Sequence, residues 1–182
     1  MADKFALVMR SKATHGTDRQ TIEVGEGQDA KQEAQRIADG YGAEVVALAR
    51  KPDAIAAPEL EHDKMMLDKY KQKVIPRGRI ERRVMANLLH FLDANGFKPV
   101  LLDDTEEDTK VSTMQEVMEL AFNLDECRVY FHHTSTEAKP RHCIYFVFGN
   151  DGWDIAADWD CPDHDADGWK AAMEAFNPEE YV

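Results

Sequence analysis

The residues from Ile80 to Ala94 set Ile80, Val84, Leu88, Phe91 and Leu92 at helical spacing and end on Asn95-Gly96, a strong helix stop. A helix with a single apolar stripe has to bury it against a second layer, so this segment excludes a purely extended fold. The residues that follow supply the layer. Phe97–Leu102 reads as a short strand, and Ser112 with Gln115 fits a capping box for a second helix that buries Met114, Val117, Met118, Ala121 and Phe122. Cys127–His133 and His142–Gly149 are two strands rich in Val, Ile, Tyr and Phe, and the turn signal Asn150-Asp151-Gly152 returns the chain as a third strand, Trp153–Ala157. A last helix runs from about Gly168 to Phe176, before Pro178.

The first fifty residues have a different rhythm. Lys4–Arg10 and Gln20–Val24 read as a hairpin, Asp29 caps a helix with Ala30, Ala34, Ile37 and Ala38 on one stripe, Gly40 ends it, and Glu44–Ala49 is a further strand. The expected fold class is α+β: a ββαβ lobe over 1–50, a linker and basic helical segment over 51–77, and an acidic αβαβββα domain over 78–182. In that domain an antiparallel meander packs on helices. The lobe is too small to bury much alone and has to lean on the remainder. With 43% hydrophobic residues in 182, the chain has enough apolar material for one body and a small second lobe.

Charge divides the chain more sharply than composition does. Residues 1–100 hold 17 basic and 15 acidic side chains, a balance of +2, whereas residues 101–182 hold 5 basic and 20 acidic, a balance of −15. The acidity gathers in Asp103, Asp104, Glu106, Glu107 and Asp108, then in Asp151, Asp154, Asp158, Asp160, Asp163, Asp165 and Asp167, and no Lys or Arg falls within 142–169. Such a surface repels nucleic acid and attracts proteins whose basic grooves hold it. The expected partner-binding residues are therefore Asp103, Asp104, Glu106, Glu107, Asp108, Asp151, Asp154, Asp158 and Asp160, with Trp159 among them as an aromatic anchor. Lys64, Lys69, Lys71, Lys73, Arg77, Arg79, Arg82 and Arg83 form a basic segment, the one place where direct contact with nucleic acid is conceivable; the plainer expectation is that it neutralises the acidic half.

Other motifs are weaker. Asp163, Asp165, Asp167 and Glu174 satisfy the EF-hand spacing around Gly168, which makes calcium the one cofactor candidate, although Lys170 occupies the eighth loop position and Pro162 precedes the loop in place of an entering helix. Gly25, Gly27 and Ala30 match a relaxed dinucleotide fingerprint, but Glu26 and Asp29 would repel a phosphate, so turn chemistry is expected. Cys127, His132, His133, His142 and Cys143 fall on neighbouring strands, where a zinc site or thiol–imidazole pair would need them on one face; adjacent strand residues point to opposite faces, so ordinary sheet roles are expected. Three cysteines, an odd number, suggest free thiols. No apolar run reaches bilayer length and Met1-Ala2-Asp3-Lys4 opens no secretory signal, so a cytoplasmic protein without a membrane partner is expected. No pattern marks an enzyme.

The run Ile144-Tyr145-Phe146-Val147-Phe148-Gly149-Asn150-Asp151-Gly152-Trp153-Asp154-Ile155, with Asp158 three residues on, resembles a segment of small uncharacterised bacteriophage and prophage proteins, and the likeness extends over about 80–160. The resemblance implies a mobile-element accessory protein in a bacterial host and carries over no catalytic or binding residue. Together with the acidity, it leads to the expectation of a non-enzymatic inhibitor of a host nucleic-acid-handling or defence complex, of anti-CRISPR or anti-restriction type. The alternatives are a calcium-responsive module using the Asp163–Glu174 loop, or a small phage enzyme or structural protein.

Overall fold

A computed structural model of the chain describes residues 2–25, 27–61, 64, 78–135, 142–149, 152–160 and 168–181. The chain divides into two compact units, one comprising Met1–Asp53 and Pro162–Asn177, the other Ala54–Cys161 and Pro178–Val182. Both are helices packed on antiparallel sheet, so the α+β class stands.

In the first unit β1 (Asp3–Ser11) and β2 (Thr17–Val24) form a hairpin, α1 (Ala30–Gly40) follows, and β3 (Ala43–Arg50) pairs antiparallel on the other side of β1, giving the order β2-β1-β3. Asp29 caps α1 as its sequence position suggests, its carboxylate accepting the Lys31 and Gln32 N–H groups at 2.8 and 3.2 Å. One sheet face carries Leu7, Met9, Ile22, Val24 and Ala43 against Ala34 and Ala38 of α1. The residues pointing the other way, Ala6, Val8, Ala47 and Ala49, are also buried. The reason lies at the far end of the chain: α4 (Trp169–Ala175) packs on β3 and β1, with Trp169, Ala172 and Ala175 buried. A central strand covered on both faces explains the uninterrupted apolar run Phe5-Ala6-Leu7-Val8-Met9. The acidic domain expected over 78–182 includes α4, whereas that helix groups with the N-terminal strands.

The second unit is built on α2 (Arg79–Ala94), a helix with ten buried residues. It is followed by β4 (Phe97–Asp103), the three-residue β5 (Asp108–Lys110), α3 (Met114–Ala121), β6 (Glu126–His133), β7 (His142–Val147) and β8 (Ala156–Trp159). The sheet order is β5-β4-β6-β7-β8, antiparallel throughout, and its last three strands are a meander. Helices α2 and α3 pack on β4, α3 also on β6, and the 3-10 turn Pro178–Tyr181 returns to α2.

Local chemistry explains the details. Pro99 lies on an internal strand, but at a register shift between Pro99 and Leu101 and beyond the stretch that pairs with β5, so its missing N–H leaves no ladder bond open. Gly96 ends α2 at φ +88°, and a Cβ there would lie 2.6 Å from His133 Nε2. The cap of α3 sits one residue beyond the expected Ser112: Thr113 Oγ1 accepts the Glu116 N–H at 3.2 Å, while Glu116 accepts N–H groups from Ser112 and Thr113 at 2.7 and 3.1 Å. Glu116 rather than Gln115 takes the role because it is the third residue of a helix capped by Thr113, and the Ser112 N–H, then the Ser112 hydroxyl, on its carboxylate hold its pKa below the ordinary range.

The segment read as a linker is docked at its start. Ile55 hydrogen-bonds to Asn87 of α2, the Glu59 carbonyl accepts from Gln115 at 3.4 Å, the Glu61 N–H donates to Glu119 at 2.9 Å, and Leu60 is buried. The third strand of the meander begins at Ala156 rather than Trp153; the register shifts between Tyr145 and Phe146, and one further bond, Val147 N–H to the Ile155 carbonyl at 3.0 Å, ties β7 to the residue before β8. No helix among the described residues is long and apolar enough to cross a membrane.

Candidate functional site

Strand parity separates the five-stranded sheet into a covered and an open face. Cys127, Val129 and Phe131 of β6 stand opposite Phe146, Ile144 and His142 of β7, and all six are buried. The residues between them face the other way, and register sets them in rows. Asp108 lies opposite Asp103, Asp103 opposite Arg128, Arg128 opposite Tyr145, and Tyr145 opposite Asp158. This single row crosses all five strands and, at about 4.8 Å per strand, spans about 19 Å. Beside it, Lys110, Leu101, Tyr130 and Cys143 make a second row, and Glu126 opposite Val147 begins a third. None of these side chains is buried.

The row has internal order. Arg128 Nη1 lies 3.8 Å from Asp103 Oδ2, and its guanidinium stands over the Tyr145 ring at 5.1 Å. The Tyr145 hydroxyl donates to Glu126, which raises the phenol pKa because ionising it would set two negative charges together. Within the row one cation and one aromatic ring therefore sit among three carboxylates, with Glu126 and Lys110 in the rows beside it.

The expected partner-binding residues are distributed unevenly. Asp103, Asp108 and Asp158 belong to the row, and Glu106 and Glu107 are exposed at the turn between β4 and β5. Asp104 builds that turn: its carboxylate accepts the Glu106 and Glu107 N–H groups at 3.0 and 2.7 Å and is acidified by them, beside Thr105 at φ +76°. Asp160 is half-buried and turned to the sheet, accepting the Cys143 N–H at 2.6 Å and lying 3.6 Å from His142 Nδ1. Trp159 stands opposite Ile144 on the covered side, while Trp153, at 45% exposure, is the outward tryptophan. Asp154 is exposed, and Asp151 lies outside the described residues.

Of the calcium loop, Asp163, Asp165 and Asp167 lie outside the described residues, and Glu174 lies 3.9 Å from Lys170 of the same helix. The basic segment is described only at Lys64, Arg79, Arg82 and Arg83. Lys64 pairs with Glu61 at 2.9 Å, and Arg82 is buried with its guanidinium over the Phe122 ring at 5.2 Å, so Arg82 does not offer its charge to a phosphate. The cysteine and histidine set splits by parity, Cys127 and His142 to the covered face and His132 and Cys143 to the open one. Cys161 lies outside the described residues.

Burial, reinforced by Asp103 and Asp104, pushes the Cys127 thiol from an ordinary 9.0 up to about 12. The folded protein therefore keeps a proton that an unfolded chain releases. Unfolding free energy is unaffected by this group below about pH 9 and falls by about 1.4 kcal/mol per pH unit between there and about pH 12. Urea unfolding of wild type and Cys127→Ala across pH 8–11 isolates the term. The gap between the two proteins is expected to change with that slope above about pH 9, and a constant gap would remove the assignment.

Fold and face together define the class: an α+β protein in which one side of a five-stranded sheet is packed by helices and the other, among the described residues, sets charged and aromatic side chains in rows. No family model matches the chain, and no curated protein and no solved structure matches it.

Proposed function

We propose that this protein is a binding module that presents the open face of its five-stranded sheet to a basic protein surface of the kind that otherwise holds nucleic acid, and so inhibits a nucleic-acid-handling complex. One observation carries the reading: the two acidic clusters, some fifty residues apart in the chain, contribute to the same row, Asp103 and Asp108 from one and Asp158 from the other. A row with three carboxylates held across five paired strands competes for a groove that DNA enters with about one charge per 1.7 Å of axis. Arg128 and Tyr145 at its centre are residue types that dominate binding energies when a partner desolvates them. The resemblance of residues 80–160 to phage and prophage proteins adds the direction of the inhibition, toward a host defence complex of anti-CRISPR or anti-restriction type.

The test is affinity capture of bacterial host proteins on the full chain, with competition by double-stranded DNA and a salt series, set beside the isosteric triple variant Asp103→Asn, Asp108→Asn and Asp158→Asn. Nucleic-acid-binding proteins are expected to be retained, to be displaced by DNA and by salt, and to bind the triple variant about tenfold or more weakly. Circular dichroism confirms that the variant is folded. Retention indifferent to both DNA and the three substitutions overturns the proposal.

A further inference from the structure

Among the described residues β2 is the outer strand of the three-stranded sheet and is bonded to β1 on one side only. Two hydrogen bonds fix which of its main-chain groups are used. Lys51 N–H donates to the Lys4 carbonyl at 2.8 Å, which aims the polar groups of Lys4 toward β3; by alternation those of Phe5, Leu7 and Met9 aim toward β2. Ser11 N–H, donating to the Gly16 carbonyl at 2.9 Å, continues the same alternation. The partners of Phe5, Leu7 and Met9 are Ile22, Gln20 and Asp18. The N–H and C=O groups of Arg19, Thr21 and Glu23 therefore point off the free edge. The strand has no proline and no bulge against β1, two devices that ordinarily blunt such an edge.

Along this edge, between β2 and α1, runs a groove of about 560 Å³ lined by Thr21, Ile22, Glu33, Arg36, Ile37 and Tyr41. Tyr41 is 68% exposed, more than any other large hydrophobic side chain among the described residues. An edge of free backbone and an exposed aromatic side chain thus occupy one side of the unit.

We infer that β2 pairs with β2 of a second copy of this chain, antiparallel about a two-fold axis through Thr21, joining two three-stranded sheets into one of six strands. Charge selects the register. With Thr21 opposite Thr21, outward main-chain groups meet outward ones, and Arg19 stands opposite Glu23 twice, once on each side of the axis. Centring on Arg19 or on Glu23 sets like charges together at the axis, and centring on Gln20 or Ile22 forms no opposite-charge pair. Lys4, the neighbour of Glu23 across the hairpin, makes its direct contact with Asp53 at 2.6 Å and meets Glu23 only through a longer-range attraction, so the Glu23 carboxylate can take a closer cation from the second copy. The same axis keeps both α1 helices on one face of the joined sheet, bringing the two grooves and both Tyr41 side chains to the junction.

Sedimentation equilibrium of the full chain tests this with a charge swap. The wild type is expected to dimerise; Arg19→Glu and Glu23→Arg each weaken the dimer about tenfold or more, and the double variant, which restores opposite charges, recovers wild-type affinity to within about threefold. Thr21→Pro removes an N–H that no described residue uses, together with the exposed Thr21 hydroxyl that accepts from Lys51 Nζ at 2.9 Å; on an edge strand it is expected to keep the far-ultraviolet dichroism of the wild type and to abolish dimerisation. A wild type that stays monomeric at about 100 μM, or a dimer untouched by both single charge variants and by Thr21→Pro, overturns the inference. These substitutions leave the acidic row intact, so the outcome is independent of the proposed binding function.

Discussion

Trp169→Ala is expected to lower the unfolding free energy by about 3–5 kcal/mol, the largest effect of any single substitution considered for this chain. Trp169 is fully buried and opens α4, which packs on β3 and β1. That helix has seven residues, too few to persist on its own propensity, and its N-cap is Gly168 at φ +84°, which offers no side-chain bond to the first turn. Its position therefore depends on packing, and Trp169 is the largest group that supplies it. Without the indole, the small residues Ala172 and Ala175 remain as the buried anchors of α4. Urea unfolding followed by circular dichroism measures the loss. Amide exchange locates it, and acceleration is expected to be greater in β1 and β3 than in β6 and β7. Trp169→Phe, which keeps an aromatic ring, is expected to cost less than half as much; a loss below about 1 kcal/mol for the alanine variant would mean that α4 is not an anchor of the first unit.

The same helix shows where reading the sequence reaches its limit. The stretch Gly168–Phe176 is recognisable as a helix from its own residues, as is α2 from its stripe and its Asn95-Gly96 stop, because both signals are local. What the helix covers is not local: it lies against strands more than a hundred residues earlier, and nothing in its pattern names them. The apolar run Phe5–Met9 does hint that both faces of β1 are covered, without saying by what. β5 went unread for the opposite reason. Its three residues, Asp108-Thr109-Lys110, are polar, and only their pairing with Leu101–Asp103 makes them a strand.

The acidic face was legible as composition and not as geometry. Counting charges singles out Asp103, Asp108 and Asp158, but placing them in one row requires four successive strand registers. Arg128 and Tyr145 carry no such signal in the sequence, because alternation marks two faces without telling which is open. Conversely, Asp104 and Asp160 look like their neighbours in sequence yet spend their carboxylates on main-chain N–H groups, a role set by turn and strand geometry. The proposed interface is thus a selection from the acidic residues, made by the sheet.

Asn87→Leu is expected to cost about 2–4 kcal/mol, second only to the loss of Trp169. Asn87 is buried within α2, where most of the buried positions are filled by apolar side chains. Its amide is instead fully engaged: Oδ1 accepts the Ile55 N–H at 2.8 Å, and Nδ2 donates to the carbonyls of Ile55 and Arg83 at 2.9 and 2.8 Å. Asn87 thus gives Ile55 both bonds that a neighbouring strand would supply, in a segment that belongs to no sheet. Leucine preserves the volume but leaves the N–H and the C=O of Ile55 without these partners, each worth about 1–3 kcal/mol when orphaned. Asn87→Asp keeps the acceptor and loses both donors, so it is expected to fall between the leucine variant and the wild type near pH 4, where a protonated carboxyl recovers one donor, and to be at least as unstable as the leucine variant at pH 7, where a buried carboxylate faces two carbonyls. Urea midpoints at the two pH values, with the exchange rate of the Ile55 amide, separate these cases. If Asn87→Leu matched the wild type in stability while Ile55 exchange stayed slow, other groups would be holding the segment, and the amide clamp would be a bystander.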